Sequence, residues 1–274
     1  EQFLWPASPR LRTGVWVDVH TYVTPAQQYR RFDPEFLYEK QDTHLVAVVG
    51  GALRLGPVEL SLNFPFVGLL AVDFYEKGVI DRQQRKVDRA DLRLGVKYGF
   101  RIERGKDLWL LTPYLGVGLP TGSRDKYEVS LGGHPVTHFT STTRAVNVLP
   151  GLAAGWRRGW WSVVISIGAQ VWLPINRDAE RDEEHQELST EVDLVGTYQV
   201  GFMPFRDLAF TVSLSHSRRL SEPDAQDRFW LTPGLRLQPY EGLYGHLGLM
   251  IPVTMSGIRQ LPVMITLQAG WEFR

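Results

Sequence analysis

The chain alternates apolar and other residues with a period of two over unusually long segments. In the C-terminal segment, every second position is apolar: Leu261, Val263, Ile265, Leu267, Ala269, Trp271 and Phe273. The positions between them carry residues such as Thr266, Gln268 and Glu272. Successive side chains of a β-strand point to opposite faces, so this pattern predicts a strand. The strand is longer than the five or six residues that are usual in globular sheets.

The same pattern predicts twelve strands along the chain, most of them with about ten residues or more. They are expected at 14–24, 43–55, 57–66, 88–102, 107–119, 143–156, 159–174, 187–202, 206–217, 228–238, 241–252 and 260–273. Short turns alternate with the long links 25–42, 67–87, 120–142, 175–186, 218–227 and 253–259. Short turns at one end and long loops at the other are typical of outer-membrane barrels. An even number of strands places both termini on the periplasmic side.

The polar face of the predicted sheet is too charged to be a dry core, because unpaired buried charges are very unfavourable. A transmembrane strand needs about 9–11 tilted residues, which the predicted strands provide. We therefore expect an all-β fold, a transmembrane antiparallel up-and-down barrel of about twelve strands. Its lumen would be lined by Asp18, His20, Glu59, Asn63, Asp91, Arg93, Lys97, Arg101, Glu191, Asp193, Arg236 and Gln268.

Composition excludes several other classes of protein. The 30 Lys and Arg residues balance the 30 Asp and Glu residues, so no basic field attracts nucleic acid. There is no cysteine, which rules out disulfides, thiolate metal sites and a cysteine nucleophile. Aromatic residues near strand ends, among them Trp160, Trp161 and Phe202, suit interfacial girdles.

We expect one barrel domain over 1–274, in which 1–13 is a periplasmic N-terminal segment.

Two neighbouring segments resemble a known family of barrels. Residues 91–98 are Asp-Leu-Arg-Leu-Gly-Val-Lys-Tyr, and residues 113–122 are Pro-Tyr-Leu-Gly-Val-Gly-Leu-Pro-Thr-Gly. The pair resembles the transporters of the phenol meta-degradation pathway, which combine an Asp-x-x-x-Gly-x-x-Tyr-like strand with a Leu-Pro-Thr-Gly strand exit. The resemblance covers 91–122 and, more loosely, the spacing of strands along the rest of the chain. It implies passage of small, often hydrophobic molecules across the outer membrane.

The sequence offers no catalytic constellation and no metal site. No histidine has a serine two residues later, and His216 and Ser217 are adjacent, so they point to opposite faces of a strand. The acidic segment 177–187 lacks the ligand spacing of a dedicated cation site and is expected to be a hydrated loop. His134 and His138 lie four residues apart, but the glycines and the proline around them exclude a helix. We therefore expect no enzyme activity, no metal and no cofactor.

Two functions remain open at this stage. The barrel passes or binds a small, possibly hydrophobic solute, or it is a non-conducting structural barrel that anchors or docks partners in a multiprotein machine of the cell envelope. In either case it lies in the outer membrane of a Gram-negative bacterium, surrounded by lipid and lipopolysaccharide. The apolar segment 66–75 also allows two interpretations. It folds into the lumen as a constriction, or it extends the neighbouring strands above the membrane.

Overall fold

A computed structural model describes residues 11–23, 27–30, 37–76, 79–83, 86–122, 127–131, 134–139, 145–174, 190–205, 207–222, 224–254 and 263–273. These residues form the strands β1 (Thr13–Val23), β2 (Gln27–Arg30), β3 (Leu37–Leu55), β4 (Val58–Glu76), β5 (Val79–Gln83), β6 (Lys86–Arg89), β7 (Leu92–Tyr98), β8 (Phe100–Arg104), β9 (Asp107–Leu119), β10 (Tyr127–Leu131), β11 (His134–Phe139), β12 (Ala145–Arg158), β13 (Trp161–Pro174), β14 (Glu191–Phe205), β15 (Leu208–Arg219), β16 (Arg228–Leu237), β17 (Leu243–Pro252) and β18 (Met264–Phe273). Across these ranges, no helix is long and apolar enough to cross a membrane.

Twelve strand positions form a closed antiparallel ring. The order around the ring is β1, β3, β4, the segments β6 to β8 as one position, β9, and then β12 to β18. β1 closes the ring against β18, from the pair Thr13 and Phe273 to the pair Tyr22 and Met264. This confirms the predicted all-β fold, a twelve-stranded up-and-down barrel.

The barrel wall is apolar on the outside, and its inner face carries buried polar and charged side chains together with apolar ones. On β18, the outward Ile265 is 45% exposed, whereas the inward Thr266 is 9% exposed. The other outward side chains of β18, Leu267, Trp271 and Phe273, are exposed as well. This distribution is the reverse of that in a soluble protein, and it is the distribution that a lipid environment selects.

Aromatic side chains crowd the outer surface near the short turns. Trp161 packs against Phe202 with their ring centroids 4.9 Å apart, and Trp160 approaches Phe202 at 6.2 Å. Trp109 and Trp156 form a second pair at 6.2 Å. These pairs have the amphipathic character of an interfacial girdle.

The barrel continues beyond the predicted strand ends on the side of the long loops. Two strands are longer than predicted. β3 starts at Leu37, before the predicted strand 43–55, and β4 continues to Glu76, beyond the predicted strand 57–66. The apolar segment 66–75 therefore extends β4. The alternative in which it constricts the lumen was wrong, because its backbone pairs with β3 in the sheet. Within the predicted link 120–142, β10 and β11 form a separate hairpin.

The predicted strand 88–102 is divided into β6, β7 and β8. The first interruption lies opposite Pro65, which has no N–H to donate to the ladder, although its carbonyl still accepts a hydrogen bond from Ala90 N at 2.8 Å. The second lies at Gly99, whose N–H bonds to the carbonyl of Pro57 at 2.7 Å. At each interruption the chain still donates a hydrogen bond to a proline carbonyl, of Pro65 or of Pro57, so the barrel stays closed.

Candidate functional site in the barrel lumen

The inward face of the barrel encloses a cavity of about 1110 Å³. Its lining includes exposed residues of the short turns, such as Arg54, Gly56 and Arg157, so the cavity reaches the short-turn end of the barrel. It extends along the lumen past Asp18 and His20 of β1. A volume above the range of 300–1000 Å³ that is common for ligand pockets accommodates a small solute.

One side of this cavity is a wall of uncharged polar side chains, which we call the hydroxyl wall. It comprises Ser162, Ser166, Thr197, Gln199, Thr211, Ser213, Ser215 and Thr232, from strands β13 to β16. The hydroxyl of Tyr114 lies 3.1 Å from Ser166 Oγ. Tyr114 has room to reach this position because Gly151, its cross-strand neighbour, has no side chain.

The opposite side of the lumen holds a buried ion pair. Lys97 Nζ lies 3.1 Å from Glu59 Oε1, and the two side chains are 10% and 1% exposed. The second carboxylate oxygen of Glu59 accepts a hydrogen bond from the backbone N–H of Arg12 at 2.6 Å. The carboxylate of Glu59 thus links two strands of the wall to the segment that precedes β1.

Leu11 and Arg12 lie inside the lumen at the short-turn end. The guanidinium group of Arg12 stacks on Trp16, with its central carbon 3.9 Å from the ring centroid, and it donates a hydrogen bond to Tyr244 Oη at 2.9 Å. Leu11 packs against Gly99 on the other side, where a Cβ atom would come within 2.7 Å of Leu11 Cδ1. This short segment narrows the lumen by crossing it between β4 and β17.

The structure places the predicted lumen residues in three groups. Five line the cavity: Asp18, His20, Arg101, Arg236 and Gln268. Five are buried in the wall outside the lining of this cavity: Glu59, Asn63, Asp91, Lys97 and Asp193. The remaining two, Arg93 and Glu191, are half-buried. The twelve residues therefore do not form one continuous lining.

The charges near the long-loop end of β15 are paired with one another. Arg219 contacts the carboxylates of Glu191 at 3.0 Å, Asp193 at 3.3 Å and Glu222 at 3.2 Å. Asp193 Oδ2 also accepts a hydrogen bond from Trp172 Nε1 at 3.3 Å, so Trp172 faces the lumen and not the lipid interface. Among the described residues, no group of three or more His, Asp or Glu side chains is arranged to hold a metal ion.

His216 forms a hydrogen bond with a loop carboxylate. Its Nε2 atom lies 2.8 Å from Asp227 Oδ1, and this bond holds the pKa of Asp227 below its ordinary value. Arg218 adds a weaker attraction at 3.7 Å. Ser217 is the neighbour of His216 on the same strand and points to the other face, so a nucleophile and its base are not brought together.

Sequence reasoning missed several residues that shape the lumen. Arg12 precedes the first strand, and Tyr114 and Tyr244 lie within strands whose polar positions gave no particular signal. The hydroxyl wall could have been found, because Ser, Thr and Gln recur at alternate positions of β14 and β15. Their common orientation follows from the period of two.

No family model matches the chain, and no curated protein sequence matches it. Solved structures do. An outer membrane channel from Pseudomonas putida has a TM-score of 0.61 at 12% identity, over 96% of this chain and 97% of that chain. The fold is that of an outer-membrane β-barrel.

Two further structures show the same fold. The NanC porin has a TM-score of 0.52 at 9% identity, over 94% of this chain and 99% of that chain. The transport unit of the autotransporter AIDA-I from Escherichia coli has a TM-score of 0.52 at 8% identity, over 99% of this chain and 93% of that chain. In barrels of this fold, the apolar outer face of the strands is the surface that contacts lipid.

Proposed function

We propose that this outer-membrane barrel is a channel that takes a small solute into its lumen and passes it across the outer membrane. The observation that carries the proposal is the cavity of about 1110 Å³ inside the barrel, which reaches the short-turn end. A lumen that served only as a structural core would be filled by side chains, as in the smallest barrels. The similar channel from Pseudomonas putida and the NanC porin support transport as the general role.

The lining of the cavity and the family resemblance guide the proposal for the solute. The resemblance to the phenol-pathway transporters implies a small, possibly hydrophobic solute. The hydroxyl wall favours a solute that forms hydrogen bonds, because a hydrocarbon would remove water from these groups without replacing it. We therefore place a small uncharged molecule first among the candidates.

A liposome swelling assay with two variants of β15 tests the channel. Ser213 lines the cavity, and its neighbour Val212 points outward and is exposed to lipid. We expect Ser213→Trp to slow solute influx because it fills part of the cavity, whereas Val212→Trp leaves influx unchanged. If vesicles with the folded wild-type protein swell no faster than protein-free vesicles, the channel proposal is wrong.

The proposed orientation places the short turns and both termini in the periplasm, on the side where Leu11 and Arg12 enter the lumen. A tag in 120–142 or 175–186 should then be accessible to antibody on intact cells. A tag at 157–159, in the turn between β12 and β13, should be inaccessible until the cells are permeabilised. Labelling of the turn on intact cells would contradict this orientation.

A structural barrel that docks envelope proteins is the second candidate. It is favoured by the buried pair of Glu59 and Lys97 and by the position of Arg12, which together close part of the lumen. Under this alternative, the folded protein does not conduct ions, and the short-turn surface binds a periplasmic partner. We propose no catalytic role for either candidate.

A further inference from the structure

Two adjacent rungs of the sheet bring polar side chains together on the lumen face of β15 to β18 and β1. In the first rung, the cross-strand neighbours are Arg236, His246, Gln268 and Asp18. In the second rung they are Thr211, Gly234, Gly248, Thr266 and His20. Every member of the two rungs except the glycines lines the cavity. We call these side chains the polar cluster.

The glycine pair in the second rung allows the polar cluster to converge. A Cβ atom on Gly234 would lie 2.6 Å from His246 Nε2 and 2.8 Å from Thr211 Oγ1. A Cβ atom on Gly248 would lie 2.6 Å from Thr266 Oγ1. The two glycines therefore leave the space that these three polar atoms occupy against the wall, and Thr211 Oγ1 lies 3.5 Å from His246 Nε2.

Two members of the polar cluster have unused hydrogen-bonding capacity. Asp18 is only 6% exposed, and its side chain bonds to Gln268, yet its Oδ1 atom has no hydrogen-bond partner in the part of the chain that the structure describes. The same holds for both ring nitrogens of His20. Buried polar atoms are normally hydrogen-bonded, so Asp18 Oδ1 lacks a donor, and the ring of His20 lacks partners for its N–H group and for its other nitrogen.

The charges around the cluster balance. Asp18 and Glu272 carry the negative charges, and Arg12 and Arg236 carry the positive charges; Arg236 lies 3.9 Å from Glu272. Neither an anion nor a cation would find a surplus of opposite charge here. The cluster is therefore matched to an uncharged ligand.

We propose that the polar cluster is a binding site for a small neutral polyol, such as a cyclitol or a monosaccharide. A hydroxyl group both donates and accepts, so it can bond to Asp18 Oδ1, to either state of His20 and to the threonine hydroxyls. A molecule with one hydroxyl has a single hydrogen to donate, so it could bond to Asp18 Oδ1 or to an acceptor nitrogen of His20 but not to both. This inference rests on the proposed function, since the solute reaches the site only through the lumen.

Equilibrium dialysis of the purified full-length protein against radiolabelled myo-inositol tests the site. Lauryldimethylamine oxide is a suitable detergent because it has no sugar headgroup. Cyclohexanol and trans-1,2-cyclohexanediol, which have the same ring with fewer hydroxyls, serve as competitors. We expect competition to strengthen with each added hydroxyl, so that unlabelled inositol competes at least about tenfold better than cyclohexanol.

Substitutions at two aspartates separate the site from the rest of the cavity. Asp18→Leu removes the acceptor and should weaken inositol binding by about tenfold or more, whereas Asp18→Asn retains an acceptor and should weaken it less. Asp207→Leu removes an exposed carboxylate that lines the same cavity at the short-turn end, and it should leave binding unchanged. Should Asp18→Leu fail to fold, Thr266→Val removes a hydroxyl of the polar cluster instead and is expected to weaken binding.

Other outcomes overturn the inference. Absence of inositol binding, equal competition by cyclohexanol, or equal loss of binding in Asp18→Leu and Asp207→Leu would each refute a polyol site at the polar cluster. Conductance measured on the same preparation keeps this result separate from the proposed function. Conductance without inositol binding refutes the site and leaves the channel, whereas inositol binding without conductance supports the site and refutes the channel.

Discussion

Removal of the charge on Glu59 should destabilise the barrel strongly. Glu59 and Lys97 are buried on neighbouring strands with their charged atoms 3.1 Å apart, and Glu59 also accepts the backbone hydrogen bond of Arg12. Glu59→Gln keeps the shape of the side chain but leaves the ammonium group of Lys97 without its countercharge. Breaking a buried pair in this way costs about 3–5 kcal/mol of unfolding free energy.

The exposed pair of Arg101 and Glu103 provides the matched control, because their side chains are 64% and 61% exposed. Glu103→Gln makes the same chemical change and should cost less than about 1 kcal/mol. The double variant Glu59→Gln with Lys97→Met removes both buried charges. It should recover much of the stability that Glu59→Gln loses, because no uncompensated charge remains.

Urea unfolding in lipid vesicles, followed by tryptophan fluorescence and by the heat-modifiable band on gels, measures these differences. We expect Glu59→Gln to be clearly less stable than both Glu103→Gln and the double variant. A loss for Glu59→Gln as small as that for Glu103→Gln would refute this expectation. That result would mean that water solvates Lys97 within the lumen.

Two further pairs of variants test the wall of the barrel. Ile165 faces lipid, so Ile165→Arg should cost about 2–4 kcal/mol, whereas Ser213→Arg places the charge in the lumen and should assemble nearly normally; equal loss of the folded band would contradict the register. Gly151→Ala would overlap the ring of Tyr114, 2.7 Å from its Cε2 atom, and should cost about 1–3 kcal/mol in urea unfolding. Gly51→Ala is its control, because the nearest atom to its Cβ would be 3.6 Å away, and an equal loss in both would contradict the packing of Tyr114.

The fold could be predicted from the sequence because one simple property determines it. A strand that faces lipid on one side and a polar lumen on the other must alternate along its whole membrane-spanning length. The pattern is less informative outside the membrane, where neither face needs to be apolar. The extension of β3 to Leu37 was therefore not predicted, and the extension of β4 to Glu76 was only one of two interpretations of segment 66–75.

The arrangement of the lumen could be predicted only in part. Alternation identified which side of a strand faces inward, but not which inward charges form ion pairs with charges on other strands. Glu59 and Lys97 lie on strands that a long link separates in sequence, and their contact depends on the register of β4 with β7. Arg12 precedes the first strand, so no periodicity indicated that it enters the lumen.

Single-channel recording in a planar bilayer tests the central claim most directly. The channel proposal predicts that the purified protein, shown to be folded by its heat-modifiable band, gives discrete current steps. Ser213→Trp, which fills part of the cavity, should reduce the step size, and Val212→Trp on the lipid face should not. Absence of current steps from folded wild-type protein would contradict the channel.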